Sequence, residues 1–352
     1  MLLSVWVVLY AVSIFALLFG ITKLRQEIYT RERESILSLT VIVPFRNEAN
    51  HLKQFLDCAN AQTIQPSKWI FVNDHSNDEF EALFYGYDLP MELIHLDNEF
   101  GKKKAIRKAL ESIETACFLT MDADVVFGVS HIEQVMNCGG ADLVILPVEM
   151  TETKWWHSFF TVEYLFTTLI NKGVTGWARP VNCSGANLLI HTNSFRELDD
   201  IETHEQILSG DDMYTLRAFR NAEKDVRIVE DAKMTVFTKT PKTLQATLKQ
   251  RVRWAAKTGN VGDDLNTFLG FWAVGLHLLY FLVVLVLVAY SAFVLCLLTI
   301  VVKFILDGLL LSSMQITWKK VGGLMLFELF YPIYIFVLFF QMLFQEPEWK
   351  GR

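Results

Sequence analysis

The sequence predicts an α/β domain with a mostly parallel, Rossmann-like sheet, carried between apolar helices at both ends of the chain. Three observations lead there. Strand-like and helix-like patterns alternate from residue 39 to 150, uncharged runs of membrane length flank the polar region, and polar residues collect where the strands end. The chain has 352 residues, of which 52% are hydrophobic and 13% aromatic. Its mean hydropathy of +0.29 is too apolar for an ordinary soluble enzyme.

Residues 2–20 (LLSVWVVLYAVSIFALLFG) carry no charge and suffice for one helix across a hydrocarbon core of about 30 Å. No basic stretch precedes this run and no small-residue cleavage pattern follows it, so the expectation is an anchor over residues 1–22 rather than a removed signal. Lys23, Arg25, Arg31 and Arg33 come next, which by the positive-inside rule places the polar region in the cytoplasm. A second uncharged run, 268–302, is long enough for a hairpin of two helices, and 321–344 is a further apolar run, so 266–352 reads as two to three helices and a short tail. Lys303 and Asp307 stand four apart, on one helical face, as an ion pair that joins helices.

Between these ends, residues 36–265 have ordinary composition and the size of one domain. The net charge of −7 and the lack of a dense basic face exclude a nucleic-acid partner. Five cysteines without CxxC spacing suit reduced thiols, and His157, His191 and His204 are isolated, with no spacing for zinc.

Element by element, LTVIVPF (39–45) is a β-branched strand, HLKQFLDCANAQ (51–62) has helical spacing, and KWIFVNDHS (68–76) is a strand running into polar residues. MELIHLD (91–97), the helix KKKAIRKALESI (102–113), ACFLTMDAD (116–124) and the strand ADLVILPVEM (141–150) continue the alternation. TKWWHSFFTVEYLFTTLI (153–170) is an aromatic helix that either borders an acceptor entrance or packs at the bilayer surface. KQRVRW (249–254) lies on a helix expected to start at Thr240-Pro241 and end before Gly259, along the membrane surface.

In parallel sheets, ligands bind beyond the carboxyl ends of the strands. There stand Arg46, Asn47 and Glu48, then Asn73 and Asp74, then Asp122 and Asp124. Two acids one residue apart at a strand end repel unless a cation lies between them and a partner, and hard Mg²⁺ or Mn²⁺ bridging to phosphate is the natural candidate. Alone, such a triplet also suits a solvated turn.

Taken together, VIVPFRNEAN (41–50), VNDHSND (72–78), the DxD of 122–124, SGDDMYTLRAF (209–219) and Gln250, Arg253 and Trp254 of QxxRW resemble the membrane-bound family 2 glycosyltransferases over roughly residues 38–258. The resemblance implies a GT-A fold and an inverting, metal-dependent hexosyltransferase that takes a nucleotide-sugar, with UDP favoured over GDP, in a bacterial inner membrane. It assigns Pro44, Glu48, Asp74, Lys102 and Asp122 to the nucleotide-sugar and Asp124 with Asp122 to Mn²⁺ or Mg²⁺. Lys102, in the run GKKKAI, equally suits a solvated helix face. Asp212 is the expected base with Asp211 as its alternate, because adjacent carboxylates split their pKa values; Asp211 also suits a helix N-terminus. Gln250, Arg253 and Trp254 share a helical face, where Arg253 suits a diphosphate and Trp254 either an acceptor sugar or the headgroup level. Asn187 in CSGANLLI would bond a sugar or the backbone.

Asn73 replaces an acid that many relatives carry, and the apolar helices are few for an export pore. The expected acceptor is therefore a lipid or lipid-linked glycan. Processive synthesis of a β-linked polysaccharide is the alternative within the enzyme class, and an inactive transferase-like membrane scaffold the alternative outside it.

Overall fold

The computed structural model describes residues 1–31, 34–198, 211–260 and 262–344. The chain forms two compact units. A sheet unit comprises Ile28–Glu149 and Asn182–Lys239; a helical unit comprises Met1–Glu27, Met150–Val181 and Thr240–Pro347.

In the sheet unit, β1 (Leu39–Phe45) is buried along its whole length, as a strand covered on both faces must be. It is followed by α2 (Ala49–Asn60), β2 (Lys68–Asn73), β3 (Met91–His95), α3 (Lys102–Leu110) and β4 (Cys117–Met121), after the N-terminal α1 (Leu2–Thr30). Next come β5 (Val126–Phe127), α4 (His131–Met136), β6 (Leu143–Ile145) and β7 (Val148–Thr151). The single strand expected over 141–150 is thus two, broken at Leu146-Pro147, where proline has no N–H for a ladder. Then β8 (Asn187–His191), α6 (Thr192–Leu198), α7 (Asp211–Asn221), β9 (Val226–Ile228) and β10 (Val236–Lys239) complete the unit.

The sheet runs β3-β2-β1-β4-β8-β6-β9. Its pairs are parallel except at β8, which lies antiparallel to both β4 and β6. Phe55, Trp69, Phe71 and Phe127 centre the core, with the Phe55 ring edge-on to the other three at 5.1–5.9 Å. The parallel strands β1, β2 and β4 end at one rim of the sheet, which gathers the loops holding Glu48, Asp74 and Asp122.

The helical unit holds α1, α5 (His157–Trp177), α8 (Leu244–Asn260), α9 (Asp264–Ala289), α10 (Phe293–Leu311) and α11 (Trp318–Phe344). Helix α8 starts at Leu244, three residues beyond Pro241, and continues through Gly259, so neither expected boundary marks its end. Among the described residues, four helices are long and apolar enough to cross a membrane: Leu2–Thr30, Asp264–Ala289, Phe293–Leu311 and Trp318–Met342. Aromatic residues of α5 pack into the apolar cluster of this unit, where Phe159 and Phe160 meet Tyr334 of α11.

The ion pair read from spacing is present, and larger than expected. Lys303 Nζ lies 2.7 Å from Asp307 Oδ2 and 2.8 Å from Glu328 Oε2, while the Tyr10 hydroxyl donates to Asp307 Oδ1 at 2.5 Å. Three helices, α1, α10 and α11, are thereby joined through one buried cluster.

In the sheet unit, His131 is fully buried beside Phe127, their rings 5.4 Å apart, and burial pushes its pKa down to about 4. The unfolded ring takes a proton below about pH 6.5 and the folded ring does not, so stability is complete above 6.5 and falls toward pH 4. The loss amounts to about 3 kcal/mol over that window. His131→Leu is expected to flatten this acid limb, measured as melting temperature against pH in detergent.

Candidate functional site

The loops after β1 and β2 are laced together by their own side chains. Ser76 Oγ accepts the Asn47 N–H at 3.0 Å, Asn47 Oδ1 accepts that of Asn77 at 2.9 Å, and Asp78 Oδ2 accepts that of Ala49 at 2.7 Å. Asn47 and His75 both stand in the left-handed region, with φ of 54° and 55°, a conformation costly outside glycine and found at functional loops. Of this network the sequence reading placed Asn47 at the end of the first strand but missed Ser76 and Asp78; their signal was the repeated Asn-Asp pairing in VNDHSND. Pro44 is buried within β1, and Glu48 precedes α2, where its Oε2 meets His51 Nδ1 at 2.6 Å. That hydrogen bond raises the His51 pKa against the opposing effect of burial, and the charges of Glu48 and Asp124 add to it.

Asp74 is 1% exposed. Its Oδ2 accepts the Gly101 N–H at 3.0 Å, and its Oδ1 lies 3.0 Å from His75 Nδ1. Gly101, with φ of 101°, precedes the first residue of α3, so the carboxylate sits where a helix N-terminus favours an anion.

That first residue is Lys102, whose Nζ lies 2.7 Å from Asp122 Oδ1 and 3.7 Å from Asp211 Oδ2. Burial opposes the ammonium, but Asp122, Asp211 and Asp212 outweigh it and hold the lysine pKa above its ordinary value. Asp211 and Asp212 open α7. Asp212 Oδ2 accepts the Gly185 N–H at 3.1 Å and Oδ1 its neighbour's, Met213, at 2.9 Å, which fixes an ionised carboxylate by two donors. Any side chain on Gly185 would collide with this group, since a Cβ there would stand 2.8 Å from Lys102 Nζ and 3.2 Å from Asp211 Oδ2. A small cleft adjoins, lined by Thr120, Gly185, Leu188, Asp211, Asp212 and Phe219 among others.

The structure thus brings together Asp74, Lys102, Asp122, Asp211 and Asp212. The solvated face considered for Lys102 does not hold, because its side chain is 13% exposed and paired. Asn187 takes the backbone role of the two its chemistry allows: it is fully buried, and its amide donates to Pro147 and Met234 carbonyls, both at 2.9 Å. Ser209, Gly210 and His204 lie outside the described residues. Asp122 and Asp124 offer hard oxygen donors, and no three His, Cys, Asp or Glu side chains form a closed cage among the described residues. Two carboxylates without a cage are the donor set that Mg²⁺ or Mn²⁺ uses when substrate phosphates complete its shell.

Gln250, Arg253 and Trp254 belong to the helical unit, on α8. Arg251 holds Gln250 and Trp254, and was missed in the sequence because it falls between the motif positions. It is 2% exposed, its Nε donates to Glu163 Oε2 of α5 at 2.6 Å, and its Nη1 to Gln250 Oε1 at 2.9 Å. Its guanidinium lies 4.2 Å from the Trp254 ring centre, and Tyr334 of α11 donates to the other Glu163 oxygen at 3.0 Å.

Comparison with known proteins accords with this geometry. The model described as glycosyl transferase family 2 matches residues 40–194. A teichoic acid poly(glycerol phosphate) polymerase of Staphylococcus epidermidis is 34% identical over 139 residues, which are 37% of this chain and 18% of that protein. An uncharacterized glycosyltransferase of Rickettsia prowazekii is 28% identical over 99 residues, 28% of this chain and 31% of that protein. The chain therefore matches less than a third of the length of either. Among solved structures, the mannosyltransferase PcManGT of Pyrobaculum calidifontis, in complex with GDP-Man and Mn²⁺, aligns over 98% of this chain and 99% of its own with a TM-score of 0.57. At 14% identity, that likeness concerns the fold.

Removing one partner of the Arg251–Glu163 pair leaves a buried charge uncompensated. Arg251→Met is expected to cost about 3 kcal/mol in thermal unfolding, and adding Glu163→Leu to recover much of it.

Proposed function

We propose that this protein is a glycosyltransferase, as the match of residues 40–194 to the glycosyl transferase family 2 model supports, and that it moves a sugar, with inversion, from a nucleotide-sugar to a lipid or lipid-linked glycan. The observation that carries the reading is Lys102 held between Asp122 and Asp211 beside the fixed carboxylate of Asp212. A sugar nucleotide departs as a diphosphate, so its site needs positive charge at the leaving group and a base for the acceptor hydroxyl.

Lys102 supplies part of that charge. Asp212, ionised and immobilised by the N–H groups of Gly185 and Met213, takes the proton from the acceptor oxygen as that oxygen attacks. Asp211 balances Lys102 and is the alternate base. Asp74 positions Lys102 through Gly101, and the laced loops with Pro44 and Glu48 shape the nucleotide side. Asp124 with Asp122 would hold Mn²⁺ or Mg²⁺, which when bound adds positive charge to the diphosphate.

Gln250, Arg253 and Trp254 serve the acceptor and the diphosphate. Four helices of membrane length favour an acceptor drawn from the bilayer. Lys23, Arg25 and Arg31 favour a cytoplasmic catalytic domain, at a bacterial inner membrane. Processive polymer synthesis is the second reading, favoured by the complete QxxRW set on one helix.

The test is nucleoside diphosphate release by detergent-purified protein with UDP- and GDP-sugars, Mn²⁺ or Mg²⁺ and a total lipid extract. Release with one donor is expected to need metal and lipid, and to fall by roughly 10²–10⁴-fold in Asp212→Asn and in Asp124→Ala. Polymer in place of a single-sugar product would select the second reading. Release from no donor, even with oligosaccharide primers, would leave an inactive scaffold.

A further inference from the structure

We propose that Lys102 is a resident cation that closes the DxD to metal until the donor arrives, so that divalent metal is taken up only together with a nucleoside diphosphate. The inference rests on the transferase reading and concerns the order in which its site is filled.

The Lys102 ammonium already occupies the electrostatic place of a metal. It contacts Asp122 Oδ1 at 2.7 Å, its side chain is 13% exposed, and it begins at the first residue of α3, next to Gly101, whose N–H is bonded to the buried Asp74. A dication bound to Asp122 beside it would meet a like charge at close range. Metal alone therefore binds against the lysine.

A diphosphate changes the balance. Its oxygens give the ammonium anionic partners, and Asp211, 3.7 Å from Nζ, lies on the other side as a second resting place. Once Lys102 lets go of Asp122, that carboxylate and Asp124 are available to the metal the diphosphate brings. Gly185 leaves the room for such a shift, since even a Cβ there would stand 2.8 Å from Nζ. Metal and nucleotide thus share one coupling energy, and each tightens the other.

The test uses full-length protein in detergent and reads Mn²⁺ binding by electron paramagnetic resonance, with and without UDP or GDP. Wild type is expected to bind Mn²⁺ roughly tenfold more tightly with one nucleotide than without. Lys102→Met is expected to bind Mn²⁺ alone roughly tenfold more tightly than wild type, with most of the nucleotide effect lost, whereas Lys102→Arg keeps that effect. Lys102→Gln, which can still bond Asp122 without a charge, gives the same result as Met and replaces it if that variant does not fold. Equal affinity of wild type and Lys102→Met for Mn²⁺ alone overturns the proposal and leaves the transferase reading intact. No Mn²⁺ binding by wild type with either nucleotide overturns the metal-dependent reading and the proposal with it.

Discussion

One ammonium among converging carboxylates is the constraint on which the site depends. Asp122 comes from the end of β4, while Asp211 and Asp212 come from the start of α7, far along the chain. Three acids from two segments cannot gather in a part-buried place without a cation, and Lys102 reaches two of them. Its position has a cost, since the N-terminus of α3 repels a positive side chain. The buried carboxylate of Asp74, placed on the Gly101 N–H at that same terminus, offsets it. Nucleotide-side and base-side motifs are thereby bound into a single electrostatic unit, and Gly185 is the residue whose missing side chain lets it close.

Local chemistry was legible in the sequence to the extent that it is local. The strand β1 was read with its observed limits, and β2, β3 and β4 within a few residues, because a buried parallel strand must be a short apolar run and cannot be anything else at that length. The DxD and the Asp-Asp of α7 were visible as acids in places where acids are costly. What stayed hidden is set by contacts between distant segments. Asp74 reads as an acid at a strand end, but its bonds to the Gly101 N–H and to His75 join segments that the sequence leaves apart. Asn187 looks available in CSGANLLI, yet two carbonyls claim its amide. In QRVRW the motif draws the eye to Arg253, while Arg251 takes the buried position because Glu163 and the Trp254 ring lie on its side of α8.

Boundaries failed for similar reasons. A strand was drawn across Pro147 because the residues on both sides are apolar, although proline has no hydrogen to give. Gly259 was read as a stop for α8, yet the helix runs through it to Asn260.

The buried cluster of the helical unit bears on how the chain enters a bilayer. Lys303 and Asp307 lie one turn apart, so α10 carries its own neutralising pair as soon as it is made. Glu328, on α11, has no such partner within its own helix and finds one in Lys303. The last helix is thus ill suited to partition into lipid by itself with that acid ionised, and Lys303 of the preceding helix supplies its partner. Tyr10, made some three hundred residues earlier, completes the group by donating to Asp307. Insertion of the C-terminal helices is therefore cooperative rather than sequential, and the first helix has to persist laterally in the membrane until its partners arrive.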